Sequence, residues 1–444
     1  MWWRVVPGAD GGRADRAPAD GGRAASEWAA DAGAAGTPAN GGSAASGRAN
    51  GGRADRAPTT GERVASGRAE RAPADGGRVA RRRDRRVYTR AHPVLFALLA
   101  VTRRSAVARL GRGTVLVHGG DAYRHALTRV PLDRAAAGTT GGAARELSAG
   151  GALFDQDGAG HRTARRVVAD GLGAAGVERL RPVWQEVLDR RLAPLGAGHD
   201  VDLVLVAREM AGATVRALLG VTADPERIAG AAARAAAAAV RDHVPGPRPP
   251  GTARAAAAAT ARLEALLAPA APGGESALRA MLAVAAVNTT VAALPRAAAW
   301  CADAALWEQA ADDRLRPALV AELLRVTAPS PLLPRVAAAD ADLDGCPVRA
   351  GDRLILVARH AARAHVDPPD AHRPAPSAVS RLVFGAGPHT CPGARLAHAQ
   401  LDDVLAALAP YRPTVVRARV DRRAALPSWR TLTVRAAWAP QEER

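Results

Sequence analysis

The chain has 444 residues, 48% of them hydrophobic, which is room and apolar material for one large or two ordinary domains. Its formal charge of +18 is carried by arginine alone and spread along the chain, so charge by itself does not mark a nucleic-acid footprint. Cys301, Cys346 and Cys391 are too few for a disulfide framework and too far apart for zinc-type pairs, which fits a reducing cytoplasm.

Residues 1–88 are Gly, Ala, Arg, Asp and Pro with almost no branched apolar side chains, so burial cannot offset the entropy of ordering them. A disordered extension is predicted, whose removal would leave stability and cofactor content nearly unchanged. GGRADRAP at Gly11–Pro18 recurs at Gly51–Pro58, a low-complexity repeat too poor in apolar residues for a solenoid. The opening MWWRVVPG lacks the parts of a secretion signal, and no apolar run is expected to reach bilayer length, the longest lying near Val94–Val101. The expectation is a cytoplasmic protein with no membrane partner and no specific nucleic-acid partner. Residues 89–444 read as one domain. VLVHGGDAYRHAL reads as strand, Gly turn and helix, and helical spacing then dominates to Arg325. Extended character returns in DRLILVA and RTLTVRAAW, too little for a doubly wound sheet, so the fold is mainly α with a small β portion.

The stretch VFGAGPHTCPGARLAHAQL concentrates the chemistry. Its glycines permit a tight loop, Pro392 suits a helix start, and the amides of a first helical turn would stabilise a Cys391 thiolate. Phe384, Gly387, His389, Cys391 and Gly393 together resemble the haem-binding loop of the cytochrome P-450 family, Phe-x-x-Gly-x-His/Arg-x-Cys-x-Gly. The resemblance implies haem b as cofactor, with Cys391 as iron ligand, Phe384 packed near the sulfur and His389 on a haem propionate. It also implies the family's fold for residues 89–444, helix-rich with a small β subdomain.

The same resemblance assigns residues elsewhere, in the family's order. Glu322 and Arg325 in LVAELLRV match the Glu-x-x-Arg pair, with Arg373 as candidate third partner. Arg335 stands where an Arg reaches a propionate, and His161 and Arg165, four apart on one helical face, match the early His-x-x-x-Arg. The apolar segment SALRAMLAVAAVNTTVAALPRAAAW would be the distal helix, with Thr289 as the threonine that helps deliver protons and Asn288 beside it as the second catalytic candidate. Here Ala286 replaces the usual Gly and Asn288 the usual acid, and an amide cannot shuttle a proton. Pro295 should bend that helix, and His243–Gly251 is a candidate lid. A monomeric monooxygenase follows, acting on a small organic substrate with dioxygen and drawing electrons from a separate ferredoxin and its reductase. Alternatives are a coupling, cyclising, dehydrogenating or peroxide-driven relative, or a haem-binding sensor without turnover.

Overall fold

In a computed structural model of the chain, residues 72–437 are described, apart from 140, 143–144, 146–152, 154, 244–250 and 269–275. Most of the candidate lid therefore lies outside the described residues, as do residues 1–71. The principal helices are α1 (Ala72–Ala91), α2 (Pro93–Thr102), α3 (Gly120–Thr128), α4 (Gly158–Leu172), α5 (Ala174–Leu192), α6 (Leu203–Leu219), α7 (Pro225–His243), α8 (Thr252–Leu266), α9 (Ser276–Asp303), α10 (Arg316–Thr327) and α11 (Ala394–Leu408). Their ends follow capping chemistry. Asp202 accepts the Val204 amide at the start of α6, and Gly220 closes it in left-handed backbone at φ +60.

The β portion is small, as expected. A five-stranded sheet runs in the order β1 (Val107–Arg109), β2 (Thr114–Val117), β8 (Arg353–Leu356), β5 (Leu333–Ala337), β3 (Leu132–Asp133), with β2 and β8 parallel and the other pairs antiparallel. A three-stranded sheet places β10 (Ser428–Arg435) between β4 (Val201–Asp202) and β9 (Thr414–Asp421). The hairpin β6 (Ala341–Leu343) to β7 (Cys346–Val348) turns through Asp344 and Gly345, both at positive φ, the signature of an Asp-Gly hairpin turn.

Helix α9 is the spine. From Leu278 to Asp303 it is long and apolar enough to cross a membrane, contrary to the expectation that no run reaches that length. Its burial gives it another role, because Ala292, Ala293, Leu294, Ala297, Ala298, Ala299, Trp300 and Cys301 all pack inside the protein. Pro295 does not end it.

The expected boundary at residue 88 is corrected by α1. Asp84 is 4% exposed and accepts hydrogen bonds from Arg296 at 2.8 Å and Arg359 at 3.3 Å. Both guanidinium groups also lie over the Tyr88 ring, at 4.6 and 4.0 Å from its centroid. This segment orders because tertiary charge pairing and Val87 and Tyr88 burial supply what its composition lacks. Residues 72–88 therefore belong to the folded unit.

Two further ion pairs, one half-buried and one fully buried, hold α11 and α10 in place. Asp403 of α11 accepts from Arg181 at 2.7 Å and from the Trp184 indole at 2.8 Å, fastening α11 to α5. Arg325 grips Glu322 in a bidentate pair at 2.9 and 2.6 Å, each side chain 1% exposed. The third partner is backbone, not Arg373: the Ala375 amide donates to Glu322 at 3.0 Å, and Arg325 donates to the carbonyls of Ala362, Asp367 and Pro368. Arg373 is exposed and pairs with its neighbour Asp370, which spares it desolvation.

Candidate active site

The cysteine segment folds as two short 3-10 turns, Arg381–Phe384 and Gly387–His389, which deliver Cys391 to the start of α11. Gly387 is required twice over. Its φ of +72 is left-handed, and a Cβ there would lie 3.3 Å from the Leu127 carbonyl oxygen of α3. The Cys391 amide closes the loop on the Phe384 carbonyl at 2.8 Å, and the Phe384 ring lies 5.3 Å from that of His398. The Cys391 side chain is solvent-accessible, yet burial pushes its thiol pKa up, opposed by a hydrogen bond from the Gly393 amide and by the charge of Arg165. The thiol is thus accessible to solvent while protein groups crowd around it.

Beside the loop the structure gathers basic side chains that the sequence scatters. The rings of His161 and His389 stack at 3.9 Å between centroids. Burial pushes His389 down to about 4, helped by the charges of Arg134 and His161. Its Nε2 is buried without a hydrogen bond, 3.6 Å from the Asp157 carboxylate that caps α4. Burial, then the charge of Arg134, pushes Arg335 down to about 10, and its Nε is likewise buried without a partner. Arg134 has the same fate, with its pKa lowered by burial and Nε unpaired.

Arg134 was not foreseen. It follows β3, whose ladder pairs Leu132 with Ala337 and Asp133 with Val336, so the next rung sets Arg134 opposite Arg335. No local motif signals that pairing. Four clustered groups that burial drives towards neutrality, three of them with unused N–H or ring-nitrogen capacity, fit an anionic ligand. A haem offers two carboxylates and an iron that would take Cys391, so the residues present fit that group.

The distal candidates sit on α9 in the middle of its length. Thr289 donates its hydroxyl to the Ala285 carbonyl at 2.7 Å, and Asn288 donates its amide to the Val284 carbonyl at 2.7 Å. Both polar groups are thus engaged by their own helix, and their hydrogen bonds do not reach the cysteine loop. Thr290 is the one that leaves the helix, donating to Gln400 of α11 at 3.5 Å, while Gln400 donates to Thr214 of α6 at 3.0 Å.

A mainly helical fold that sets a cysteine loop beside Arg134, His161, Arg335 and His389 fits a thiolate-ligated haem. The sequence model of the Cytochrome P450 family matches residues 308–409. Over 103 residues the chain is 38% identical to 20-oxo-5-O-mycaminosyltylactone 23-monooxygenase of Streptomyces fradiae, covering 23% of this chain and 24% of that protein. Over 111 residues it is 40% identical to vitamin D3 dihydroxylase of Streptomyces griseolus, covering 24% and 27%. The match thus spans about a quarter of these curated relatives. Among solved structures, open cytochrome P450 EryK from S. erythraea superposes with a TM-score of 0.62 at 24% identity, over 80% of this chain and 98% of that one. CYP109E1 from Bacillus megaterium gives 0.62 at 19% identity, over 79% and 100%. Residues 308–409 thus match the cytochrome P450 family model, and the chain has the fold of solved bacterial cytochromes P450.

Proposed function

We propose that the protein is a haem-thiolate monooxygenase that uses dioxygen to hydroxylate or epoxidise a small organic substrate of secondary metabolism. One observation carries this reading: Cys391 lies beside a cluster of basic side chains, of which Arg134, Arg335 and His389 each keep a buried nitrogen without a hydrogen bond. Cys391 would ligate iron, while Arg134, His161, Arg335 and His389, with Arg165 near the sulfur, would hold the carboxylates of haem b. Bound there, haem b supplies reductive activation of dioxygen, with one oxygen atom entering substrate and the other leaving as water.

The chain's own residues do the rest. The Gly393 amide and the first turn of α11 favour the anionic form of the sulfur. For proton delivery the Thr289 hydroxyl would have to turn from the Ala285 carbonyl, and Asn288 could hold a water without passing on a proton of its own. Electrons would come from a separate ferredoxin, steered by the exposed Arg162, Arg166 and Arg395. Charge reversal at these three should slow reduction and flatten its salt dependence. The names of two relatives, a mycaminosyltylactone monooxygenase and a vitamin D3 dihydroxylase, support a natural product as that substrate. We place the protein in the cytoplasm as a monomer.

A screen of substrate-induced spin-state change against a metabolite library tests the reading, together with the thiolate signature of the reduced carbonyl complex. A protein that takes up no haem would overturn it. Asn288 favours a second reading, a peroxide-driven or non-hydroxylating outcome, which product analysis under labelled dioxygen against labelled peroxide separates.

A further inference from the structure

Helix α2 turns one face to the sheet, and among the described residues the other has no partner. Leu99 is 1% exposed, packed with Leu116 and Val357, and Leu95 and Phe96 lie half-buried beside it. Val94, Leu98 and Val101 point the opposite way, 82%, 36% and 75% exposed. Spaced by four and three residues, they form one stripe along the helix. Large apolar side chains this exposed are few among the described residues, and three of them share this one ten-residue helix.

The charge around the stripe has one sign. Residues 76–120 hold eleven arginines and a single acid, Asp84, which is buried and already paired. Asp303 takes up Arg83 and Asp352 takes up Arg109. Arg90 lies in the last turn of α1, four residues before Val94 in sequence, and Arg103 and Arg104 directly follow α2; all three are exposed, with no ion pair among the described residues. An apolar stripe flanked in sequence on both sides by exposed arginines, without ion pairs among the described residues, matches the chemistry of an anionic bilayer surface, where aliphatic side chains enter the acyl boundary and guanidinium groups meet phosphates. A second copy of the chain fits less well. A ten-residue helix face is about 15 Å long and about 10 Å wide, far below the roughly 800 Å² per partner of a stable dimer.

We propose that α2, through Val94, Leu98 and Val101 with Arg90, Arg103 and Arg104, docks the protein peripherally on anionic lipid. This departs from the expectation of no membrane partner and does not depend on the haem reading. The test is co-sedimentation of the full chain with vesicles of phosphatidylcholine alone or mixed with phosphatidylglycerol, across a salt series. Binding to the mixed vesicles, weakened by salt, is expected. In Val94→Asp/Val101→Asp, partition should fall by more than about tenfold, because two carboxylates would then face the lipid, while the far-UV circular dichroism stays unchanged. Val94→Leu/Val101→Leu, which keeps the stripe apolar, should bind at least as well as the parent. No binding by the parent chain overturns the proposal. So does equal binding by the aspartate variant, which would assign the attraction to basic residues elsewhere. A dimer that the aspartates dissociate, without vesicle binding, would assign the stripe to a second copy instead.

Discussion

The cysteine loop keeps every position of the family pattern, whereas helix α9 departs from it at Ala286 and Asn288. The loop's requirements are local and steric: a left-handed Gly387 against α3, a Cys391 amide closed on Phe384, a Gly393 amide on the sulfur. Few residue types satisfy them. On α9 the proposed requirement is a proton path, which water, a substrate hydroxyl or another side chain could supply. The two regions therefore tolerate change differently, and the departures mark where the reaction outcome is open to tuning.

The largest effect should come from the loop. Cys391→Ala is expected to abolish the thiolate signature of the reduced carbonyl complex, while Cys301→Ala and Cys346→Ala retain it; a signature surviving in the first variant sinks the assignment. Next is a change outside both regions. Asp84→Ala leaves Arg296 and Arg359 buried without their carboxylate, and should destabilise the fold by about 3–5 kcal/mol, read from chemical unfolding. Deleting residues 1–88 should be at least as damaging, so an unchanged midpoint would return α1 to a dispensable extension.

Arg134→Ala and Arg335→Ala sharpen the proximal side. Each removes a charged donor from the proposed carboxylates, worth about 1.5–3 kcal/mol, and should speed transfer of haem to apomyoglobin by roughly 10–100-fold. Unchanged transfer in Arg134→Ala would confine haem anchoring to residues with a sequence signature. The distal side is expected to respond less. Asn288→Asp should raise product formed per reduced nicotinamide consumed, and Thr289→Ala lower it, each by about 1–2 kcal/mol in the relevant barrier, with peroxide measured in parallel. If the aspartate lowers coupling and the alanine does nothing, neither residue delivers protons and a substrate-assisted route is the better account.

The smallest effect is a pH reference outside both regions. His118 and His360 share a hydrogen bond between their Nδ1 atoms at 2.9 Å, and burial pushes His118 from 6.5 down to about 4 and His360 lower still. Folded pKa values below the unfolded value mean that the unfolded chain binds more protons in that range, so stability should fall as pH drops from 6.5 towards 4. His118→Gln should flatten that slope in thermal melts; an unaltered slope would place the acid sensitivity elsewhere.

What the sequence determined by itself is what depends on neighbours a few residues apart. The cysteine loop, the Glu322–Arg325 pair and the His161–Arg165 helix face are all legible because turn geometry and helical period act over short spans. The mainly helical character with little strand is legible for the same reason. Tertiary structure alone decided the rest. Arg134 meets Arg335 only through the β3–β5 ladder, and Glu322 finds the Ala375 amide where Arg373 was expected, because contacts across long separations are set by packing. Residues 72–88 look too polar to order, yet Asp84 is fixed between Arg296 and Arg359, which lie 212 and 275 residues away. Composition records how much apolar surface a segment can bury. It does not record which distant charge will come to meet it, and that pairing is what drew α1 into the fold.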